Sequence, residues 1–154
     1  MQIIGPQLDR ASECEAVLRA LPAWFGIEHA LLMYKHDTAT FPTFAVDRDG
    51  TIVAFLTLRE HFEASWEIHC MAVDAACRGS GIGTQLIEHS QDWLRQRGAR
   101  FLQVKTVAPS GNSAEYTETR KFYEAVGFAP LEVFPDLWDS QNPALQMIKT
   151  LNEA

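Results

Sequence analysis

Apolar residues recur along the chain with two periods, and the change from one to the other predicts an order of helices and strands. Helical spacing runs through residues 10–20 and stops near Pro22, and an apolar stretch suggests a second helix at residues 23–34. Runs rich in β-branched and aromatic residues then predict three strands, at residues 44–46, 52–58 and 65–73. Because Asp47-Arg48-Asp49-Gly50 is a good hairpin turn, the first two strands pair with each other, and the third is expected antiparallel to the second.

The second half of the chain alternates helix and strand. A helical pattern follows the glycine-rich run and extends to about residue 97, where Gly98 is a plausible stop. A second helix is expected at residues 114–126, with Gly127 as its cap. Three strands lie around these helices, at residues 101–107, 128–134 and 144–149. The order predicts an α+β layered domain, in which a mixed sheet carries helices on its faces.

Length and composition are those of an ordinary globular domain. The 154 residues, 47% of them hydrophobic and 21% charged, fit a single domain over residues 1–154. No apolar run approaches the roughly 20 residues that cross a bilayer, so no membrane association is expected. The first residues lack the basic region and long apolar core of a secretory signal, which favours a cytoplasmic protein.

The net charge and the cysteine content limit which binding partners are expected. A net charge of −7 disfavours nucleic acid, whose binding depends on Lys and Arg, and weakly favours a cationic partner such as an amine. The three cysteines and five histidines show no metal-ligand spacing, so no metal is expected. An odd number of cysteines also argues against a disulfide framework.

The run Arg78-Gly79-Ser80-Gly81-Ile82-Gly83 carries the strongest chemical signal. It stands between a predicted strand and a predicted helix, where backbone N–H groups without helical partners and the helix dipole favour an anion. Glycine lets the backbone approach a ligand closely, and Arg78 adds a permanent cation. The run lacks the lysine of a P-loop and the third glycine of a dinucleotide fingerprint. A plain turn, or a small nucleotide-binding module, remains an alternative at this point.

Two motifs together resemble the GNAT superfamily of N-acetyltransferases. Its first signature, Arg/Gln-x-x-Gly-x-Gly/Ala after the fourth strand, is matched in full by residues 78–83. Its second, an aromatic-Tyr-Glu segment before Gly-Phe, matches Phe122-Tyr123-Glu124 and Gly127-Phe128. The two stand about 40 residues apart in the expected structural order. The resemblance implies a mostly antiparallel mixed sheet with helices on both faces, whose fourth and fifth strands splay apart to admit acetyl-CoA.

The resemblance also implies how this co-substrate is held. The diphosphate would lie on the backbone of Arg78, Gly79, Ser80, Gly81, Ile82 and Gly83, with Thr84 close by. The pantetheine arm would add like a short strand to Met71, Ala72 and Val73. Many family members carry an asparagine seven residues before the motif tyrosine. This chain has Tyr116 at that position, and Asn112 on the preceding loop is a possible substitute.

Catalysis needs a proton acceptor for the amine, a donor for the thioester oxygen and a proton donor for the thiolate. The motif tyrosine, Tyr123, is the expected acid, with packing in an aromatic helix face as its alternative. Glu67 is the candidate base, because some family members carry a glutamate four residues before Met71. Strand alternation places Glu67, His69, Met71 and Val73 on one face, so His69 is a second candidate, and ordered water a third.

Other residues have weaker functional interpretations. Arg120 and Lys121 could contact the 3′-phosphate of CoA, although solvated helix charges are the commoner case. Cys70 and Cys77 flank the same strand and loop, but neither has the partners of a nucleophile. By analogy with the family, the acceptor site would comprise residues 21–43 and 134–139. Its candidate members are Trp24, Phe25, Tyr34, His36, Asp37, Asp136, Trp138 and Asp139.

The sequence therefore predicts an N-acetyltransferase that moves an acetyl group from acetyl-CoA to a primary amine of a small molecule or peptide. The transfer would occur by direct attack in a ternary complex, and a homodimer is possible because dimers are common in the family. The alternative is a regulatory domain that binds acyl-CoA without turnover.

Overall fold

A computed structural model describes residues 1–151 and shows one seven-stranded sheet with helices on both faces. The strands are β1 (Gln2–Ile4), β2 (Thr43–Arg48), β3 (Thr51–Phe62), β4 (Ser65–Val73), β5 (Phe101–Val107), β6 (Ala129–Asp139) and β7 (Asn142–Thr150). The helices are α1 (Ala11–Arg19), α2 (Glu28–Thr40), α3 (Ile82–Gln96) and α4 (Ala114–Ala125).

The sheet is mixed and mostly antiparallel, as predicted. Its order is β1-β2-β3-β4-β5-β7-β6, and only β4 and β5 run parallel. The expected hairpin between β2 and β3 and the antiparallel β3–β4 pair are confirmed. Of the predicted domain, residues 152–154 lie outside the described part. No helix within residues 1–151 has the length and apolarity that crossing a membrane requires.

Each face of the sheet has its own core. One contains Leu86, Leu94 and other apolar residues of α3, with Tyr123 of α4 and inward-facing residues of the central strands. The other packs α1 and α2 against the opposite face, around Leu18 and Phe55. Both sides of β3 are therefore covered, which explains its continuous apolar run rather than an alternating pattern.

The helix α2 and the strand β1 differ most from the sequence-based prediction, and β3 and β6 extend to Phe62 and Asp139, beyond their expected ends at residues 58 and 134. The second helix runs from Glu28 to Thr40, not over residues 23–34, because residues 22–25 form a turn and the helix has few buried side chains. Only Leu31 and Thr38 of α2 are buried, so the apolar residues of this region do not mark where the helix begins and ends. The short strand β1 was not predicted, since three residues carry too little periodicity to be recognised.

A bulge in β4 overturns the predicted arrangement of its side chains. The facing strand pairs with Cys70 and next with Ile68, so that His69 has no partner across the ladder. Ile68 therefore packs in the core beneath α3 before the bulge, and Met71 packs against that same core after it. The prediction that one face carries Glu67, His69, Met71 and Val73 is wrong, because the extra residue reverses the alternation.

Candidate active site

A wedge opens between β4 and β5 in the centre of the sheet. Their parallel pairing extends from Ser65 and Phe101 to Ile68 and Val104 and then stops. Both strands continue beyond that point, β4 to Val73 and β5 along β7. The edge of β4 that faces β5 therefore has no strand partner after the bulge, and its backbone can pair with an extended ligand.

A cavity of about 810 Å³ fills this wedge and brings together most of the predicted site residues. Both proposed catalytic residues, Tyr123 and Glu67, are among those that line it. So are ten of the twelve predicted cofactor-binding residues: Met71, Ala72, Val73, Arg78, Gly79, Gly81, Ile82, Gly83, Thr84 and Tyr116. Ser80 and Asn112 do not line the cavity.

The glycine loop has the conformation of an anion site. Gly79 and Gly81 adopt φ values of 75° and 84°, a left-handed region that side-chain-bearing residues rarely enter. Gly81 precedes α3, and no side chain caps the first turn of that helix. A Cβ at either glycine would meet no protein atom within 4 Å, so both face open space. The backbone N–H groups at the start of α3 are consequently available to a ligand.

Two further residues of the motif shape the loop. The Ser80 hydroxyl donates a hydrogen bond to the Cys77 carbonyl, which closes the turn from within. A Cβ at Gly83 would lie 3.0 Å from the Phe122 ring and 3.2 Å from the Met71 methyl group. Gly83 thus permits close packing of α3 against its neighbours.

Tyr123 lies at the inner wall of the cavity on α4. Its side chain is 6% exposed and packs between the rings of Phe122 and Phe128. Burial raises the pKa of Tyr123 well above the usual value for a phenol. Within residues 1–151 its hydroxyl has no hydrogen-bond partner, so a protonated phenol lines the cavity with its donor unused.

The segment between α1 and α2 is tied to α4 and to the glycine loop through Trp24. The Trp24 indole donates to the Thr119 hydroxyl over 3.1 Å, and the Tyr116 hydroxyl donates to the Trp24 carbonyl over 3.0 Å. The guanidinium of Arg78 lies 4.2 Å from the centroid of a Trp24 ring. Tyr116 therefore holds the cavity wall in place through its hydroxyl, and Arg78 stacks on an aromatic surface.

Glu67 is the centre of a polar network at the start of the wedge. One carboxylate oxygen lies 2.6 Å from His61 Nε2, and the other accepts a hydrogen bond from Lys105 Nζ over 3.1 Å. Lys105 also reaches the Gln103 amide oxygen at 3.3 Å. Glu67 is buried, and a buried carboxylate needs hydrogen-bonding or ionic partners. The contacts with His61 and Lys105 provide these partners.

His69, the bulged residue, faces α2. Its Nε2 atom lies 2.7 Å from a carboxylate oxygen of Asp37, and its ring makes edge contacts with Tyr34 and Phe41. The contact between Asp37 and Nε2 orients the imidazole ring, so that the other nitrogen, Nδ1, can accept a proton. The bulge therefore brings Glu67 and His69 toward the α1–α2 side of the cavity, while Met71 faces α3.

Part of the predicted acceptor site lies elsewhere. Trp24, Phe25, Tyr34 and Trp138 line the cavity. His36 is mostly exposed and outside the lining, and Asp37 acts through His69. Asp139 accepts hydrogen bonds from Asn142 in the β6–β7 turn, and neither it nor Asp136 lines the cavity.

The weaker candidates are engaged in structural contacts. Arg120 donates to the Val107 carbonyl at 2.6 Å and to the Thr117 hydroxyl, and Lys121 lies 3.9 Å from Glu118 on the exposed face of α4. Asn112 is exposed after a single 3₁₀ turn, in the left-handed conformation.

The cysteines and the acidic residues form no second reactive site. The three cysteines are buried and unpaired, and burial raises the pKa of the Cys70 thiol, which opposes a nucleophilic role. Among residues 1–151, no three His, Cys, Asp or Glu side chains lie close enough together to hold a metal ion.

Sequence reasoning missed six polar residues that line the cavity: Arg59 and His61 on β3, Lys105 and Thr106 on β5, and Glu118 and Thr119 on α4. None belongs to a motif. The antiparallel register that places Arg59 opposite Glu67 was the available signal, because facing residues of paired strands share one side of the sheet.

The chain is similar to known proteins in both sequence and fold. The family model "Acetyltransferase (GNAT) family" matches residues 12–128. Mycothiol acetyltransferase of Beutenbergia cavernae is 30% identical over 110 residues, which is 71% of this chain. The match spans only 31% of that relative, about a third of its length.

Solved structures share the whole architecture. A GNAT-family protein from Desulfovibrio desulfuricans superposes with a TM-score of 0.86 at 15% identity, over 98% of this chain and 99% of its own. An aminoglycoside 6′-N-acetyltransferase complexed with coenzyme A superposes with a TM-score of 0.79 at 18% identity, over 100% of this chain and 99% of its own. At these identities the likeness concerns the fold. The family match over residues 12–128 shows that the chain belongs to the GNAT family of acetyltransferases.

Proposed function

We propose that this chain transfers an acetyl group from acetyl-CoA to a primary amine of a small molecule or peptide, by direct attack in a ternary complex. The observation that carries the proposal is the meeting of three features in one cavity. These are the unpaired edge of β4, the uncapped start of α3 and the unused phenol of Tyr123. Together they offer donors for an amide-containing arm, for a diphosphate and for a thiolate.

The residues present fit coenzyme A. Gly79 and Gly81 leave open space in front of backbone N–H groups, and Arg78 stands at the same end of the cavity. The main chain of Met71, Ala72 and Val73 would pair with the amides of the pantetheine arm. Ser80 would act through the shape of the turn, and Tyr116 through the wall that it holds. Asn112, outside the cavity lining, is the predicted contact that the geometry supports least.

The chain's own groups would then manage charge and protons. A backbone N–H between Met71 and Val73 would donate to the thioester oxygen, where negative charge develops during attack. Tyr123 would protonate the departing thiolate, since a phenol is protonated at neutral pH and this one lines the cavity. Glu67 would accept the proton of the amine, with His69 or an ordered water as the alternative acceptor.

The proposal includes a cellular location and an oligomeric state for the chain. We place the chain in the reducing cytoplasm, where three unpaired cysteines stay reduced. We treat residues 1–154 as one transferase domain. A homodimer would use the edge strand β6, on which Leu131, Val133 and Leu137 are exposed. Light scattering coupled to size-exclusion chromatography would measure its mass, and a monomer at high concentration would exclude the dimer.

The activity is tested by incubating the purified protein with acetyl-CoA and a panel of primary amines while free thiol is measured. The proposal predicts amine-dependent thiol release and an N-acetylated product of matching mass. Binding of acetyl-CoA without thiol release from any amine would favour the regulatory alternative. Stronger binding of ATP or NAD than of CoA would favour a nucleotide-binding module.

A further inference from the structure

Arg59 is a cation in the acceptor half of the cavity that has no anionic partner. It lies on β3 directly opposite Glu67 in the antiparallel register, and it lines the cavity together with His61. Glu67 is already bound to His61 and Lys105, on both of its oxygens. Within residues 1–151 the Arg59 side chain makes no ion pair, no side-chain hydrogen bond and no ring contact.

The charge of the cavity lining is opposite to that of the whole chain. The chain carries a net charge of −7. The lining contains three cations, Arg59, Arg78 and Lys105, against two anions, Glu67 and Glu118. Two acidic residues of β6, Asp136 and Asp139, could have attracted a cationic acceptor, but neither lines the cavity. Arg78 stands at the glycine loop and Lys105 is paired with Glu67, so Arg59 is, within residues 1–151, the lining cation on the acceptor side that has no anionic partner.

From this arrangement we propose that the acceptor carries a carboxylate besides its amine, and that Arg59 binds this carboxylate. The inference rests on the proposed acetyltransferase function and specifies its substrate class. A guanidinium presents two parallel N–H groups that match the two oxygens of a carboxylate. Because Arg59 lies opposite Glu67, the carboxylate would be held one strand away from the group that receives the amine proton.

This substrate class follows from electrostatics as well as geometry. A primary amine is protonated and positively charged in water, and the positive charge of Arg59 in the lining repels it at short range. A carboxylate on the same molecule cancels that charge, so a zwitterion enters the cavity where a polyamine or an aminoglycoside is repelled. The aromatic residues Trp24, Phe25, Tyr34 and Trp138 supply apolar surface for the remainder of the molecule. The substrate class is accordingly an amino acid with an apolar or aromatic side chain.

The test compares acceptors that differ only in the carboxylate. Thiol release from acetyl-CoA is measured with L-phenylalanine and L-phenylalaninamide, with L-leucine and L-leucinamide, and with spermidine and kanamycin. The wild-type protein is expected to use each acid with a kcat/KM about ten- to hundredfold above that of its amide, as a charged hydrogen-bonded pair supplies. Arg59→Gln should remove this preference, because KM for each acid rises to that for its amide.

Two control variants separate charge from fold. Arg59→Lys keeps the charge without the planar fork and should retain part of the preference. Arg48→Gln removes an exposed arginine at the end of β2, outside the cavity, and should leave the preference intact. Equal use of acids and amides, or a preference for spermidine or kanamycin, would overturn the assignment of Arg59 while the acetyltransferase function stands. Thiol release from none of the acceptors, with acetyl-CoA bound, would overturn the proposed function itself.

Discussion

Arg78 of the glycine loop stacks on Trp24 of the segment between α1 and α2, with the guanidinium carbon 4.2 Å from the centroid of the indole. The same indole donates a hydrogen bond to Thr119 of α4. Three separate parts of the chain thus meet at one aromatic side chain beside the cavity. The cation that would face the diphosphate is positioned before any ligand arrives.

Replacing Trp24 by leucine should weaken coenzyme A binding about two- to fivefold, because an exposed cation–π contact contributes about 0.5–1 kcal/mol. Calorimetric titration of coenzyme A measures this change. Trp138→Leu is the matched control, since Trp138 also lines the cavity but has no ring contact with an arginine within residues 1–151. Equal effects of the two substitutions would mean that the stacking on Arg78 does not assist binding.

Tyr123→Phe should lower kcat by about 100-fold or more, the usual contribution of a general acid, and leave KM for acetyl-CoA nearly unchanged. The fold should not suffer, because the hydroxyl has no hydrogen-bond partner within residues 1–151 and its removal leaves no donor or acceptor unsatisfied. Steady-state kinetics and thermal unfolding measure the two effects. Unchanged turnover would remove Tyr123 from the mechanism, and a large loss of stability would show a structural role.

Glu67→Gln should slow acetyl transfer, because Glu67 accepts the proton of the amine in the proposed mechanism. The amide is expected to lower kcat about 100-fold, because it cannot take up a proton. Glu60→Gln, at an exposed position of β3 outside the cavity lining, is the control. An unchanged kcat in Glu67→Gln, together with a loss of about 100-fold in His69→Ala, would assign the base to His69 instead.

Alkaline pH should destabilise the protein through its tyrosines. Burial raises the pKa of all three, Tyr34, Tyr116 and Tyr123, above the ordinary value of 10.0. The folded chain therefore keeps protons that the unfolded chain releases above pH 10. The contribution of the tyrosines to the free energy of unfolding is fully present below that pH and is lost as the pH rises further. Tyrosinate absorbance should appear only together with loss of the far-UV circular dichroism. A tyrosine that ionises near pH 10 in the folded protein would contradict the burial.

The glycine loop and the tyrosine motif were predictable because each depends on residues that are close together in the sequence. Two glycines that need positive φ, an arginine and a following helix lie within a few residues of one another. Tyr123 likewise stands in a short motif, between Phe122 and the Gly127-Phe128 pair. The strands of the sheet were likewise recognisable by their apolar runs. The fold class, and the position of most predicted cofactor-binding residues around one cavity, followed from these features together with the family resemblance.

The acceptor side was not predictable in this way, because it depends on contacts between distant segments. The bulge at His69 reverses the side-chain alternation of β4, and nothing in the local sequence marks it. Arg59 and Lys105 lie on the same side of the sheet as Glu67 because of how β3 and β5 pair with β4, which the sequence does not specify. The helix α2 lacks an apolar stripe, so its bounds and the place of Asp37 beneath His69 required the folded structure.

The most direct test of the central claim is a calorimetric titration of coenzyme A into the wild-type protein, Gly81→Ala and Gly50→Ala. The two glycines have matched conformations, with φ values of 84° and 88°, and open space around both. Each substitution should therefore cost about 1–2 kcal/mol of stability. The account predicts saturable binding to the wild-type protein and to Gly50→Ala, and binding about tenfold weaker or worse to Gly81→Ala, whose methyl group would occupy the space of the diphosphate. Absence of binding to the wild-type protein, or equal affinity of the two variants, would contradict it.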